Sequence, residues 1–153
     1  MKYILLLLLT FSLIGTTSAI ADSSSTLDSI KKSGKIKIGY RQSEPPMSFE
    51  DENGNPVGYS IDLCKRIASN VSTTIGKEVE IEYIPVTSEN RFSAVSSGKI
   101  DILCGSTTKT LSRSKKVDFT QNTFVTGATF MTLAGKQFNE LAELDGRKVG
   151  VVK

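Results

Sequence analysis

Three short apolar segments, 35–40, 79–84 and 100–104, are separated by two stretches whose apolar residues recur at helical spacing. That alternation constrains the fold more than any other feature of the 153 residues. Lys35 to Tyr40 alternates, with Ile36 and Ile38 on one face, as a half-buried strand does. From Ser60 the apolar positions become Ile61, Cys64, Ile67, Ala68, Val71 and Ile75, one face of an amphipathic helix that Gly76 ends. Val79 to Ile84 is a second strand, Ser88 to Ser97 a short helix carrying Phe92 and Val95 inward, and Ile100 to Cys104 a third strand. Strands joined through helices pair in parallel through right-handed crossovers. The expected fold class is therefore α/β, a central, mostly parallel sheet flanked by helices. The third strand, apolar on both faces, is expected at the sheet's centre.

The flanks read less sharply. Thr26 to Ser33 is a short helix ended by Gly34, and the turn cluster Asn53-Gly54-Asn55-Pro56 pairs Met47 to Glu50 with Val57 to Tyr59 as a hairpin. Thr123 to Ala134 reads as a long strand or a crossing between layers, Phe138 to Leu144 as a helical turn, and Val149 to Val152 as a strand in which the sequence stops. A strand with unpaired edges at a terminus is a liability, so the chain is expected to be a fragment of something longer. At the other end Lys2, the apolar run Tyr3 to Leu9 and the small residues closing at Ala19-Ile20-Ala21 have the layout of a secretory signal peptide cleaved after Ala21. Thr10, Ser12 and Thr16 interrupt the run too early for the roughly 20 apolar residues a membrane anchor needs.

The formal charge is +3, and removing Lys2 with the leader leaves +2. So mild a balance argues against a nucleic-acid partner. The chain has no His, which excludes a Ser-His-Asp triad and any His-ligated metal, and two cysteines alone cannot hold structural zinc. No cofactor and no metal are expected. Cys64 lies on a helix's apolar face and Cys104 in an apolar strand, and export takes both into an oxidising compartment. A disulfide and a pair of small buried thiols are both open to them.

In an open parallel sheet, ligands bind beyond the carboxyl ends of the strands. Arg41, Gln42 and Ser43 follow the first strand, Thr87, Ser88 and Arg91 the second, and Ser106, Thr107, Thr108 and then Arg113 the third. Ser88 and Thr110 read as helix N-caps, which puts Arg91 and Arg113 in first turns, where the dipole disfavours a cation by about 0.3 kcal/mol or more. A bound anion gripped bidentately accounts for arginines there. An anion facing all three carries more than one negative charge, and carboxylates fit better than phosphates because no glycine-rich phosphate loop follows the first strand.

Three stretches, LDSIKKSGKIKIGYRQSEPPMSFEDENGNPVGYSIDLCKRIA, VTSENRFSAVSSGKIDILCGSTTKTLSR and KKVDFTQNTFVTG, resemble the amino-terminal lobe of the extracytoplasmic solute-binding proteins of polar amino-acid ABC transporters. VTSENR and CGSTTKTLSR look most like the glutamate and aspartate binders. The resemblance implies a type II periplasmic-binding-protein-like fold: 1–21 a signal peptide, 22–134 the first lobe, 135–153 a crossover into a second lobe that is largely missing. It implies a periplasmic, monomeric, non-enzymatic protein that delivers an acidic amino acid to an inner-membrane permease. Arg113 would pair with the ligand's α-carboxylate, helped by Thr108, and Ser106 would offer its backbone carbonyl to the α-ammonium. Arg41, Ser88 and Arg91 would take the side-chain carboxylate, with Phe49 beside the ligand's carbon chain. A few relatives of this fold act as cyclohexadienyl dehydratases, for which Glu44 and Glu89 are the nearest acids, and a ligand-sensing role is the third reading. Glu44 otherwise reads as a solvated loop charge and Glu89 as a favourable first-turn acid.

Overall fold

The computed structural model describes residues 25–150 apart from residue 128. The expected leader and the end of the expected last strand, 151–153, lie outside the described residues. In chain order the elements are α1 Thr26–Ser33, β1 Lys35–Tyr40, β2 Ser43–Glu44, β3 Ser48–Glu50, β4 Pro56–Val57, α2 Tyr59–Ile75, β5 Glu80–Pro85, α3 Arg91–Ser96, β6 Ile102–Cys104 and a 3-10 turn Leu141–Leu144.

The main sheet runs β5-β1-β6, parallel throughout, with Ile38 opposite both Tyr83 and Ile102. The first strand, not the third, is thus the central one among the described residues. The third also starts later than its apolar run suggests. Asp101 Oδ2 accepts the Lys37 N–H at 2.7 Å while Asp101 N–H donates to Lys37 O, so a side chain clasps β1 before the ladder begins.

Alternation along the strands divides the core in two, as a period of two requires. Ile36, Ile38 and Tyr40 of β1 join Ile30 of α1, Ile61, Cys64 and Ala68 of α2, and Cys104 on one face. Val86, Ala94 of α3 and Ile100, with Ile84 and Leu103 against them, form a smaller core on the other. The sheet is therefore covered on both faces, as parallel sheets are. Cys64 and Cys104 are joined as a disulfide, Cα atoms 6.4 Å apart, which ties α2 to β6.

A second sheet, β2-β3-β4, is antiparallel and folds against the end of β1. The fully buried Ser48 hydroxyl accepts the Arg41 N–H and donates to Arg41 O, and Tyr40 Oη donates to Glu50 Oε1 at 2.7 Å. Tyr59, expected in the hairpin, instead opens α2: its N–H donates to Pro46 O and that of Ser60 to Met47 O. That close crossing requires Gly58, at φ 123°, where an added Cβ would lie 2.6 Å from Met47 O. Gly58→Ala is expected to cost about 2 kcal/mol or more. Urea unfolding checks this, and a midpoint equal to wild type would show that the crossing relaxes freely.

The reading of Thr123 to Ala134 as a strand is not met: its described residues form none, and Val125 and Met131 are 82% and 98% exposed. Strand propensity is realised only against a partner whose backbone groups complete the ladder, and the described residues offer this segment none. Its start is held by Tyr59, whose hydroxyl donates to Thr123 O at 2.7 Å and whose ring meets Phe124 edge-on. Val149 and Gly150 likewise carry no strand.

Candidate ligand site at the strand ends

Arg41 leaves β1 with its side chain mostly covered, 14% exposed. Its Nη2 donates to Ser88 Oγ at 3.1 Å, linking the ends of β1 and β5. Its Nη1 lies 2.8 Å from Glu44 Oε1, and the other oxygen of Glu44 accepts a hydrogen bond from Ser106 Oγ beyond β6. The Arg41 contact is a close ion pair that lacks hydrogen-bond alignment, so that Nη1 donates to no acceptor. At Gly105 the chain runs close against Arg41, where a Cβ would stand 3.3 Å from Arg41 Cγ, and the Gly105 carbonyl accepts from the buried Ser60 hydroxyl. Three consecutive parallel strand ends thus meet around one guanidinium.

Arg91 and Arg113 complete the cluster at a shared ring, their Cζ atoms 5.2 and 5.5 Å from the Phe92 centroid. Burial, then the positive charges of Arg113 and Arg41, push the Arg91 guanidinium below its usual pKa, with Glu44 and Glu89 opposing. Arg91 Nε and Thr107 Oγ1 are buried polar atoms without a hydrogen-bond partner. Buried orphan donors of this kind cost about 1–3 kcal/mol each. Like charges held together with orphan donors are what a multivalent anion relieves.

Several expected details change. Ser88 is no cap: α3 begins at Arg91 after Asn90, and Thr87 organises the turn, its Oγ1 accepting from the N–H groups of Glu89 and Asn90. Ser and Thr compete for such turns with nearly equal chemistry, and Ser88 is instead turned to Arg41. Thr110 Oγ1 does accept the Arg113 N–H, yet residues 111–116 form turns and not a helix. Arg113 Nη1 donates to the Thr108 carbonyl at 2.8 Å, so Thr108 holds Arg113 through its backbone. Phe49 stands in β3 opposite Ser43 and Val57. The ring under the guanidiniums is Phe92, which was expected only to face inward; the signal for its role was an arginine beside an aromatic at a strand end. Glu44 is not a solvated loop charge, because both its oxygens are engaged. Glu89 is no first-turn acid, since it precedes α3, which begins at Arg91; its carboxyl is held below the usual range first by the Thr87 hydroxyl.

A parallel sheet covered on both faces, with cations and hydroxyls gathered at its carboxyl edge, is an α/β arrangement of the kind that places ligands beyond the strand ends. The chain belongs to the bacterial extracellular solute-binding proteins, family 3, whose family model matches residues 36–143. It is 38% identical over 128 residues to a glutamate/aspartate import solute-binding protein of Salmonella typhimurium, covering 83% of this chain and 42% of that one. It is 35% identical over 126 residues to an L-glutamate/L-aspartate-binding protein of Pseudomonas aeruginosa, covering 81% and 42%. Among solved structures it is similar to an ancestral cationic amino acid solute-binding protein, with a TM-score of 0.56 and 39% identity over 62% of this chain and 39% of that one. The chain spans less than half the length of these relatives, and the type II solute-binding fold is represented here by one α/β unit.

Proposed function

We propose that the chain carries the ligand-gripping first lobe, residues 22–134, of the substrate-binding component of an amino-acid ABC transporter, with 135–153 leading toward a second lobe. It takes an acidic amino acid in the periplasm and hands it to an inner-membrane permease. The observation that carries this reading is the gathering of Arg41, Arg91 and Arg113, with the Ser88 and Ser106 hydroxyls, at three successive parallel strand ends. An acidic amino acid brings two carboxylates and one ammonium. Arg113 takes the α-carboxylate, Thr108 keeping Arg113 in place, and the Ser106 carbonyl takes the ammonium. Arg91, Arg41 and Ser88 take the side-chain carboxylate, with Phe49 set near the ligand's carbon chain. The glutamate/aspartate names of the two bacterial relatives support that choice; a similar fold carries the name of a cationic amino acid binder, so the choice rests on the pocket residues and not on the fold.

Arg91→Gln in the complete protein tests the assignment by calorimetry with glutamate and glutamine. Glutamate affinity is expected to fall by at least about tenfold more than glutamine affinity, since only the former loses a charge-assisted pair. Equal losses for both ligands would remove Arg91 from the side-chain pocket.

A further inference from the structure

We propose that Glu44 is an internal competitor for the ligand's side-chain carboxylate, and so sets how tightly and how selectively the crevice takes an acidic amino acid. This rests on the acidic-amino-acid reading above. The Glu44 carboxylate bridges the ends of β1 and β6 as a ligand carboxylate would, with one oxygen against the Arg41 guanidinium and the other on the Ser106 hydroxyl. Its backbone holds it there. Glu44 pairs with Ser48 across β2 and β3, and its carbonyl accepts the Met47 N–H at 2.9 Å. Its side chain is only 26% exposed, so the carboxylate faces protein groups more than solvent.

Arg41 is already committed on both arms, to Glu44 and to Ser88. A ligand carboxylate can grip Arg41 only as Glu44 moves off, because two ionised carboxylates at one guanidinium repel. The misaligned Arg41 Nη1 makes that exchange feasible: Glu44 supplies a charge there but no directed hydrogen bond. An amide-bearing ligand makes no such demand, so Glu44 weakens the acid relative to the amide. Glu44→Gln removes the charge while keeping the size and an acceptor for Ser106, and Glu44→Ala removes the whole carboxylate.

The experiment is calorimetry on the complete protein, as wild type, E44Q and E44A, with glutamate and glutamine, circular dichroism confirming that each variant is folded. Both variants are expected to bind glutamate about tenfold more tightly, with glutamine changed by less than about twofold. If wild type binds glutamate and both folded variants bind it equally or more weakly, the competitor role is overturned while the acidic reading stands. Parallel weakening for both ligands would overturn it in favour of Glu44 as a partner of the ammonium. If wild type and variants bind glutamine but none binds glutamate, the acidic reading falls and this inference with it.

Discussion

Replacing Arg113 with Met in the complete protein is expected to weaken every amino acid ligand, acidic or not, by about two to three decades. The α-carboxylate is common to all such ligands, and Arg113 is the arginine best prepared for it. Its backbone N–H is held by Thr110 Oγ1, its Nη1 by the Thr108 carbonyl, and its Cζ lies over the Phe92 ring. Little orientational freedom then remains to be lost on binding, which is what pre-organisation contributes to affinity. Methionine keeps much of the stem and its packing, so the loss isolates the charge. An unpaired carboxylate in a covered crevice costs about 2–5 kcal/mol, against about 1.4 kcal/mol per decade of affinity. Calorimetry with glutamate and glutamine should show matching losses for the two. A loss confined to glutamate would move Arg113 into the side-chain pocket and exchange its role with that of Arg91.

Removal of the Cys64–Cys104 bond is the second large effect. The bond closes a loop of 40 residues and joins α2, which covers one face of the sheet, to β6 at its edge. Both sulfurs lie in the larger core, with Cys64 6% and Cys104 2% exposed. Freed, the unfolded chain regains the entropy of that loop, about 3–4 kcal/mol in the chain-entropy picture. The double variant C64A/C104A of the complete protein should unfold at correspondingly lower urea, and a reducing agent should lower the midpoint of the wild type but not that of the variant. The ligand site would feel it too, since Gly105 and Ser106 follow Cys104 directly. An unchanged urea midpoint would mean that core packing alone holds β6 against α2.

The local elements were legible because their causes are local. The α1 helix runs as its pattern indicated, Thr26–Ser33, with Gly34 at φ 74° closing it, and α2 starts one residue before its expected beginning. Apolar residues at helical spacing followed by a left-handed glycine contain nearly all the information such a helix needs. The arginines were legible by the same logic, since each is the first arginine after an apolar strand. Misreadings fall where the cause lies elsewhere in the chain. β1 is central because β5 and β6 both find it, and nothing within Lys35–Tyr40 says so. The segment from Thr123 has the composition of a strand without a neighbour among the described residues to make it one.

What the sequence by itself determined is the alternation of strands and helices, and with it the placing of three arginines after the carboxyl ends of the strands. Periodicity and glycine stops act over a few residues, so they survive without knowledge of the fold. Only the tertiary structure decided how those charges are used. Ser106 meets Glu44 across 62 positions, and Ser88 meets Arg41 across 47. Such contacts depend on strand order and register, which are settled by packing over the whole sheet. That is why Glu44, a loop acid by its neighbours in sequence, stands in the folded chain where a ligand's carboxylate is expected to bind.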